Sequence, residues 1–172
     1  MKLTTKAILI VGALSLAACT NPDRFGGDGG ITDANSVAGG GIIAGSANDP
    51  SSAAYFQQAV GDRVLFSVDQ SSLTAQGQAT LDGQAVWLMT NSDFTAVIEG
   101  HADEQGTREY NIGLGNKRAD AARSYLISKG VPANRLQIVS YGKERPIEIC
   151  SEEACYAKNR RAVTVLAAGL TG

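Results

Sequence analysis

A strand that stops at a glycine, an acidic loop and then a long helical segment restrict this chain more than anything else in it. The run Ala96, Val97, Ile98, Glu99 reads as a strand closed by Gly100, and the loop 101–106 carries carboxylates at Asp103 and Glu104. Thr107 is a good N-cap, because its hydroxyl can accept a bond from an orphan N–H of the first turn. Gly130 stands where the helix should stop.

At about 100° per residue the helix has two distinct faces. Ile112, Gly115, Ala119, Ala122 and Leu126 share one side, a core face whose small central residues would let the helix lie close on a sheet. Thr107, Asn111, Leu114 and Arg118 share another, about a quarter turn away. This second line is roughly 16 Å long and runs from the loop bearing Asp103 to a guanidinium. An acid at one end and a cation at the other suit a small zwitterion. Spacing alone equally allows Arg118 to be a surface ion pair with Glu104 or Asp120.

The remaining elements set the fold class. Asp49-Pro50 predicts a helix start running through Val60 to a stop at Gly61, and Arg63 to Val68 alternates as a strand. Thr74 or Ser72 should cap a second helix with Leu81, Ala85, Leu88 and Met89 on its core face, and Trp87 off that stripe as a partly buried packing residue. Strands are expected at Thr95 to Glu99, Arg135 to Val139 and Ala162 to Ala167. This alternation implies an α/β (α+β) sandwich, helices packed on a mixed four-stranded sheet.

Three segments are expected: 1–18 as a signal peptide, 19–49 as a linker with an acylated start, and 50–172 as the folded domain. Lys2 and Lys6 precede a short apolar run, and Leu16-Ala17-Ala18-Cys19 resembles the bacterial lipobox. By that resemblance Cys19 would carry a thioether-linked diacylglycerol and an acylated amino group, palmitate being the expected chain. At about 0.8 kcal/mol per buried methylene, several such chains hold a protein on a membrane. Thr20 follows, whereas the inner-membrane retention signal of enteric bacteria is Asp there, so the outer membrane, on its periplasmic side, is expected. The Gly-rich stretch beyond it cannot bury enough surface to offset its ordering entropy and is expected to act as a leash, with Ile42-Ile43-Ala44 as a conceivable contact point. Net charge is −2 for the whole chain, and removal of Lys2 and Lys6 takes it to −4, so no basic footprint for a nucleic acid exists.

The string GHADEQGTREYNIGLGNKRADAARSYL, followed by GVPANRLQIVSYGKERP and NRRAV, resembles the OmpA-like peptidoglycan-binding domain from about Val60 to Val165. Within that family the pattern is most similar to the lipoprotein branch. The resemblance implies a non-catalytic module that binds the meso-diaminopimelate residue of the peptidoglycan stem peptide. Position by position it implies Asp103 for the ligand's ammonium and Arg118 for its carboxylate. Thr107, Asn111 and the backbone at Leu114 would add hydrogen bonds, and Phe66 and Asp69 would close the other wall, Asp69 through its backbone. It further implies membership of the Tol-Pal system, which serves envelope integrity and cell division, and binding to the propeller protein TolB. Asn159, Arg160 and Arg161 match the signature as well. One arginine there is expected to pin the last strand, with at most an accessory ligand role.

Cys150 and Cys155 should be oxidised to each other in an exported protein, closing a small loop worth roughly 2 kcal/mol in the chain-entropy picture. A metal centre fits poorly, because His101 is the only histidine and is expected to order its loop. An enzyme acting on the wall would need Asp103 with Glu104 as an acid pair. Adjacent residues do not flank a scissile bond, and no nucleophile with a base is evident. A motor-stator role for the same domain would call for a transmembrane helix that the sequence does not supply.

Overall fold

A computed structural model describes residues 43–168. The expected signal segment, Cys19, the expected linker up to residue 42 and the last four residues lie outside the described residues. Two short elements, α1 (Ala53–Tyr55) continuing as a π-helical turn (Phe56–Gly61), lead into β1 (Arg63–Leu65). The chain then runs through α2 (Ala75–Thr90), β2 (Phe94–His101), α3 (Arg108–Ser128), a 3-10 turn (Ala133–Arg135), β3 (Leu136–Gly142), α4 (Glu153–Asn159) and β4 (Arg161–Ala168). No described helix is long and apolar enough to cross a membrane.

The strands form one mixed sheet in the order β1-β4-β2-β3. β4 is antiparallel to both neighbours, while β2 and β3 are parallel, as a strand-helix-strand crossover through α3 requires. Val64, Ala96, Ile98 and Ala162 point into a core filled from the helix side by Leu81, Ala85, Leu88, Ala119, Ala122 and Leu126. Thr107 caps α3 by accepting from Tyr110 N–H, and Gly130, at φ +103°, ends the helix in the left-handed region.

α3 sits unusually close to the sheet because two glycines face each other. A Cβ on Gly100 would lie 1.8 Å from the Gly115 carbonyl oxygen, and one on Gly115 would lie 2.4 Å from the Ser140 hydroxyl oxygen. The small residues expected on the core face therefore do allow the close approach. They bring the β2 end and the first turns of α3 together.

Several sequence expectations need correction. Asp49 does not cap a helix. It closes a turn, accepting from Gly45 N–H (2.8 Å) and from Ser51 N–H and hydroxyl, while Ser52 caps α1 by accepting from Tyr55 N–H. The first strand ends at Leu65 rather than Val68, because the chain turns at Asp69, which adopts φ +56°. Met89 is exposed on α2. Trp87 takes the core position instead, its ring between Phe56 and Phe94 and its indole N–H donating to the Pro50 carbonyl at 2.7 Å. Burying the indole satisfies both its apolar body and its one donor. Arg135 lies in the 3-10 turn rather than in β3, its guanidinium donating to the carbonyls of Leu88, Asn91 and Phe94. The short helix α4 was not foreseen.

Candidate functional site

A cleft of about 270 Å³ opens where the β2–α3 loop meets the turn after β1. Val68, Asp69, Asp103, Gln105, Gly106, Tyr110, Asn111 and Leu114 line it. The loop is tied down at both ends. Asn111 is buried and donates from Nδ2 to the Gln105 carbonyl at 2.8 Å, and Gln105 N–H donates to Asp103 Oδ1 at 3.3 Å. Lys143 adds a bond from Nζ to the Gly106 carbonyl at 2.7 Å. The opposite wall is held by the Tyr110 hydroxyl, which donates to the Asp69 carboxylate.

Arg118 lies behind this cleft and is completely buried. It donates to three backbone carbonyls: Nε to Gln70 (2.8 Å), Nη1 to His101 (2.9 Å) and Nη2 to Ser67 (3.1 Å). Its guanidinium carbon stands 5.3 Å from the Phe66 ring centroid. One side chain on α3 thus clamps the turn after β1 against the end of β2. Burial lowers its pKa to about 10, against the opposing pull of Asp103, so it remains a cation at neutral pH. Three of its five N–H donors are committed to carbonyls, which leaves two.

The structure brings Asp69, Asp103, Asn111 and Leu114 to the cleft surface, places Phe66 and Arg118 in the layer beneath, and leaves Thr107 exposed at the helix cap. Neither Glu104 nor Asp120 pairs with Arg118, so the surface ion pair that spacing allowed is not formed. Tyr110, Gln105, Gly106 and Val68 were missed. Tyr110 carried a signal, for it lies one helical turn before Leu114. The NRRAV signature marked Arg160 with at most an accessory role, but its contact with Asp103 is one that no local pattern reveals. Arg160 is buried, donates from Nη1 to Asp103 Oδ2 at 3.1 Å, and is also bound by Glu153.

Arg161 is the arginine that pins the last strand, donating to the carbonyls of Asn159 and Arg145. His101 is buried at the β2 end, its ring stacked at 5.6 Å on Tyr141. Burial pushes its pKa down to about 4, and the nearby Arg161 and Arg145 cations push the same way. At neutral pH it is therefore an uncharged spacer, and its 3.6 Å approach to Glu99 is not an ion pair. The Cys150–Cys155 disulfide is formed, with Cα atoms 6.0 Å apart, at the start of α4. Among the described residues no cluster of His, Cys, Asp and Glu could hold a metal.

The model of the OmpA family matches residues 65–160, more than half of the chain. The peptidoglycan-associated lipoprotein of Rhizobium meliloti (strain 1021) is 48% identical over 92% of this chain and 85% of its own length. The chain belongs to the OmpA family and, within it, to the peptidoglycan-associated lipoproteins. A second lipoprotein of that name, from Brucella melitensis, is 44% identical over 93% of this chain and 90% of its own. The crystal structure of the peptidoglycan-associated lipoprotein from Burkholderia pseudomallei superposes with a TM-score of 0.64 at 37% identity, covering 69% of this chain and all of that one. The C-terminal domain of Helicobacter pylori MotB shares the fold at 20% identity, with a TM-score of 0.59 over 63% of this chain and 86% of that one.

Proposed function

We propose that the protein is a non-catalytic tether, held in the outer membrane by acyl chains on Cys19 and binding peptidoglycan through the cleft between the β2–α3 loop and the turn after β1. The ligand in this reading is the free amino acid centre of meso-diaminopimelate in the stem peptide, its ammonium on Asp103 and its carboxylate within reach of the donors that Arg118 has left. The observation that carries it is the pairing of a cleft-facing carboxylate at Asp103 with a fully buried guanidinium at Arg118 directly behind the same cleft. A buried cation not neutralised by a partner of its own is costly unless an anion is expected nearby. Likeness to the peptidoglycan-associated lipoproteins supports the same reading. On it the protein also belongs to the Tol-Pal system, engages TolB, and serves envelope integrity and cell division.

The three carbonyl bonds of Arg118 make Arg118→Ala an unsuitable test, since it would destabilise the fold by about 3 kcal/mol. Asp103→Asn keeps shape and removes charge. Sedimentation of the folded variant with purified sacculi should show loss of most binding; full pelleting would refute the assignment. For the anchor, Cys19→Ser should leave the protein soluble or unprocessed, and processed protein still found in the outer membrane would contradict it.

A further inference from the structure

The environment of Asp103 contains more charge than a simple ligand carboxylate needs. Its Oδ2 accepts from Arg160 Nη1 at 3.1 Å, its Oδ1 accepts a long 3.3 Å bond from Gln105 N–H, and the residue lines the cleft. Taken alone, the pair Asp103–Arg160 would be neutral and a poor receptor for an ammonium group. Arg160, however, also binds Glu153, which engages Nη1 through Oε2 at 3.4 Å and Nη2 through Oε1. Two carboxylates thus share one guanidinium, and the trio carries a net charge of −1; the Arg118 cation behind the cleft is offset by Asp69 on its wall, so the balance stays anionic. The planar fork of arginine makes this sharing possible, since it can hold two acids at once in fixed directions.

The arrangement is held on both sides. Arg160 is buried at the junction of α4 and β4, and its Nε donates to the Phe66 carbonyl at 3.2 Å, so the guanidinium cannot swing away. Glu153 opens α4, two turns before Arg160, and the Cys150–Cys155 bond closes the chain around it. Tyr156, also on α4, donates to Glu104 Oε1 at 2.9 Å in the same loop that carries Asp103. The arginine bond holds the Glu153 carboxyl below its ordinary range, so it is ionised wherever the wall is at neutral pH.

We propose that Glu153 and Arg160 are positioning residues that orient Asp103 and keep its site net-anionic, so that an exposed carboxylate outside the cleft sets the preference for a ligand bearing a free ammonium. This rests on the reading of Asp103 as the ammonium acceptor. Glu153 touches no ligand in this account; it acts through Arg160.

The test uses the full chain in detergent and two muropeptides. One carries free meso-diaminopimelate, the other lacks only the amine of its side-chain centre. Both are followed by chemical-shift titration, which reaches millimolar affinities. Glu153→Gln should lower affinity for the amine-bearing ligand by about fivefold, in line with one partly screened charge, while leaving the desamino ligand within twofold. Glu153→Asp, which keeps the charge, should recover most of that loss. An equal loss for both ligands would reduce Glu153 to a staple of α4 and overturn the proposal, as would no change for either. Asp103→Asn separates the two levels. If it abolishes the preference for the amine while Glu153→Gln does not touch it, only the positioning role fails; if it leaves the preference intact, the assignment of Asp103 fails as well.

Discussion

Replacing Gly100 by alanine would put a methyl group 1.8 Å from the Gly115 carbonyl oxygen, 2.5 Å from its carbonyl carbon and 3.2 Å from the Ala119 Cβ. An ordinary carbon–oxygen contact needs about 3.3 Å, so the shortfall is about 1.5 Å, and the obstacle is helix backbone that no rotamer change can move. Either α3 retreats from β2 or the strand bends, and retreat unpacks Ala119, Ala122 and Leu126 together. Overpacking by a methyl ordinarily costs about 1–3 kcal/mol where side chains can yield; here the expected loss is about 4 kcal/mol or more, a large share of the stability of such a domain. Urea unfolding followed by tryptophan fluorescence reads this directly, since Trp87 is buried between two aromatic rings. The midpoint should fall by more than about 1.5 M. Binding should fail with it, because a 1.5 Å shift would carry Arg118 out of reach of the His101 carbonyl, now 2.9 Å away. A Gly100→Ala protein within about 1 kcal/mol of wild type would refute the claim that this contact sets the helix position.

Three further outcomes are expected. His101, whose pKa falls to about 4 in the fold, is neutral there but protonates in the unfolded chain below about 6.5, so its contribution is constant above that pH and is lost as pH falls from about 6.5 toward 4. With solvent screening allowed for, the loss is about 2 kcal/mol, and His101→Gln should flatten the stability–pH curve in that window; an unchanged slope would remove the histidine from the account. Cys150→Ser with Cys155→Ser should lower stability by about 2 kcal/mol without unfolding the domain, as read by thermal denaturation; a change below about 0.5 kcal/mol would mean that Asn159, which accepts from Ile147 and Glu148 N–H, holds the loop unaided. Trp87→Phe should cost about 1–2 kcal/mol by stranding the Pro50 carbonyl and thinning the aromatic cluster, and a neutral result would show that water replaces the indole donor.

How much of this was legible depends on whether the controlling interaction is local. The Thr107 cap, the stop at Gly130, the small-residue face of α3 and the sheet's mixed character all follow from patterns a few residues long, and the structure has them. The error at Met89 and Trp87 arose because α2 buries a broader arc than a single stripe, and the aromatic cluster from Phe56 and Phe94 decides which residue enters the core. Asp49 was misread because its side chain can close a turn as readily as cap a helix. In the site, helical spacing and family resemblance pointed to Asn111 and Leu114, which line the cleft, and to Arg118. That Arg118 lies beneath the cleft, spending donors on carbonyls 17 to 51 residues away, is a tertiary fact with no local trace. The same holds for Arg160, which reaches Asp103 across 57 residues.

The most direct test of the tether reading is calorimetric titration of residues 43–172, which keep the Pro50 carbonyl that Trp87 binds, with a muropeptide bearing free meso-diaminopimelate, beside one bearing lysine at the same place. The account predicts binding to the diaminopimelate form and little or none to the lysine form, because only the former presents both an ammonium for Asp103 and a carboxylate for Arg118. Equal binding to the two, or binding to neither, would contradict it.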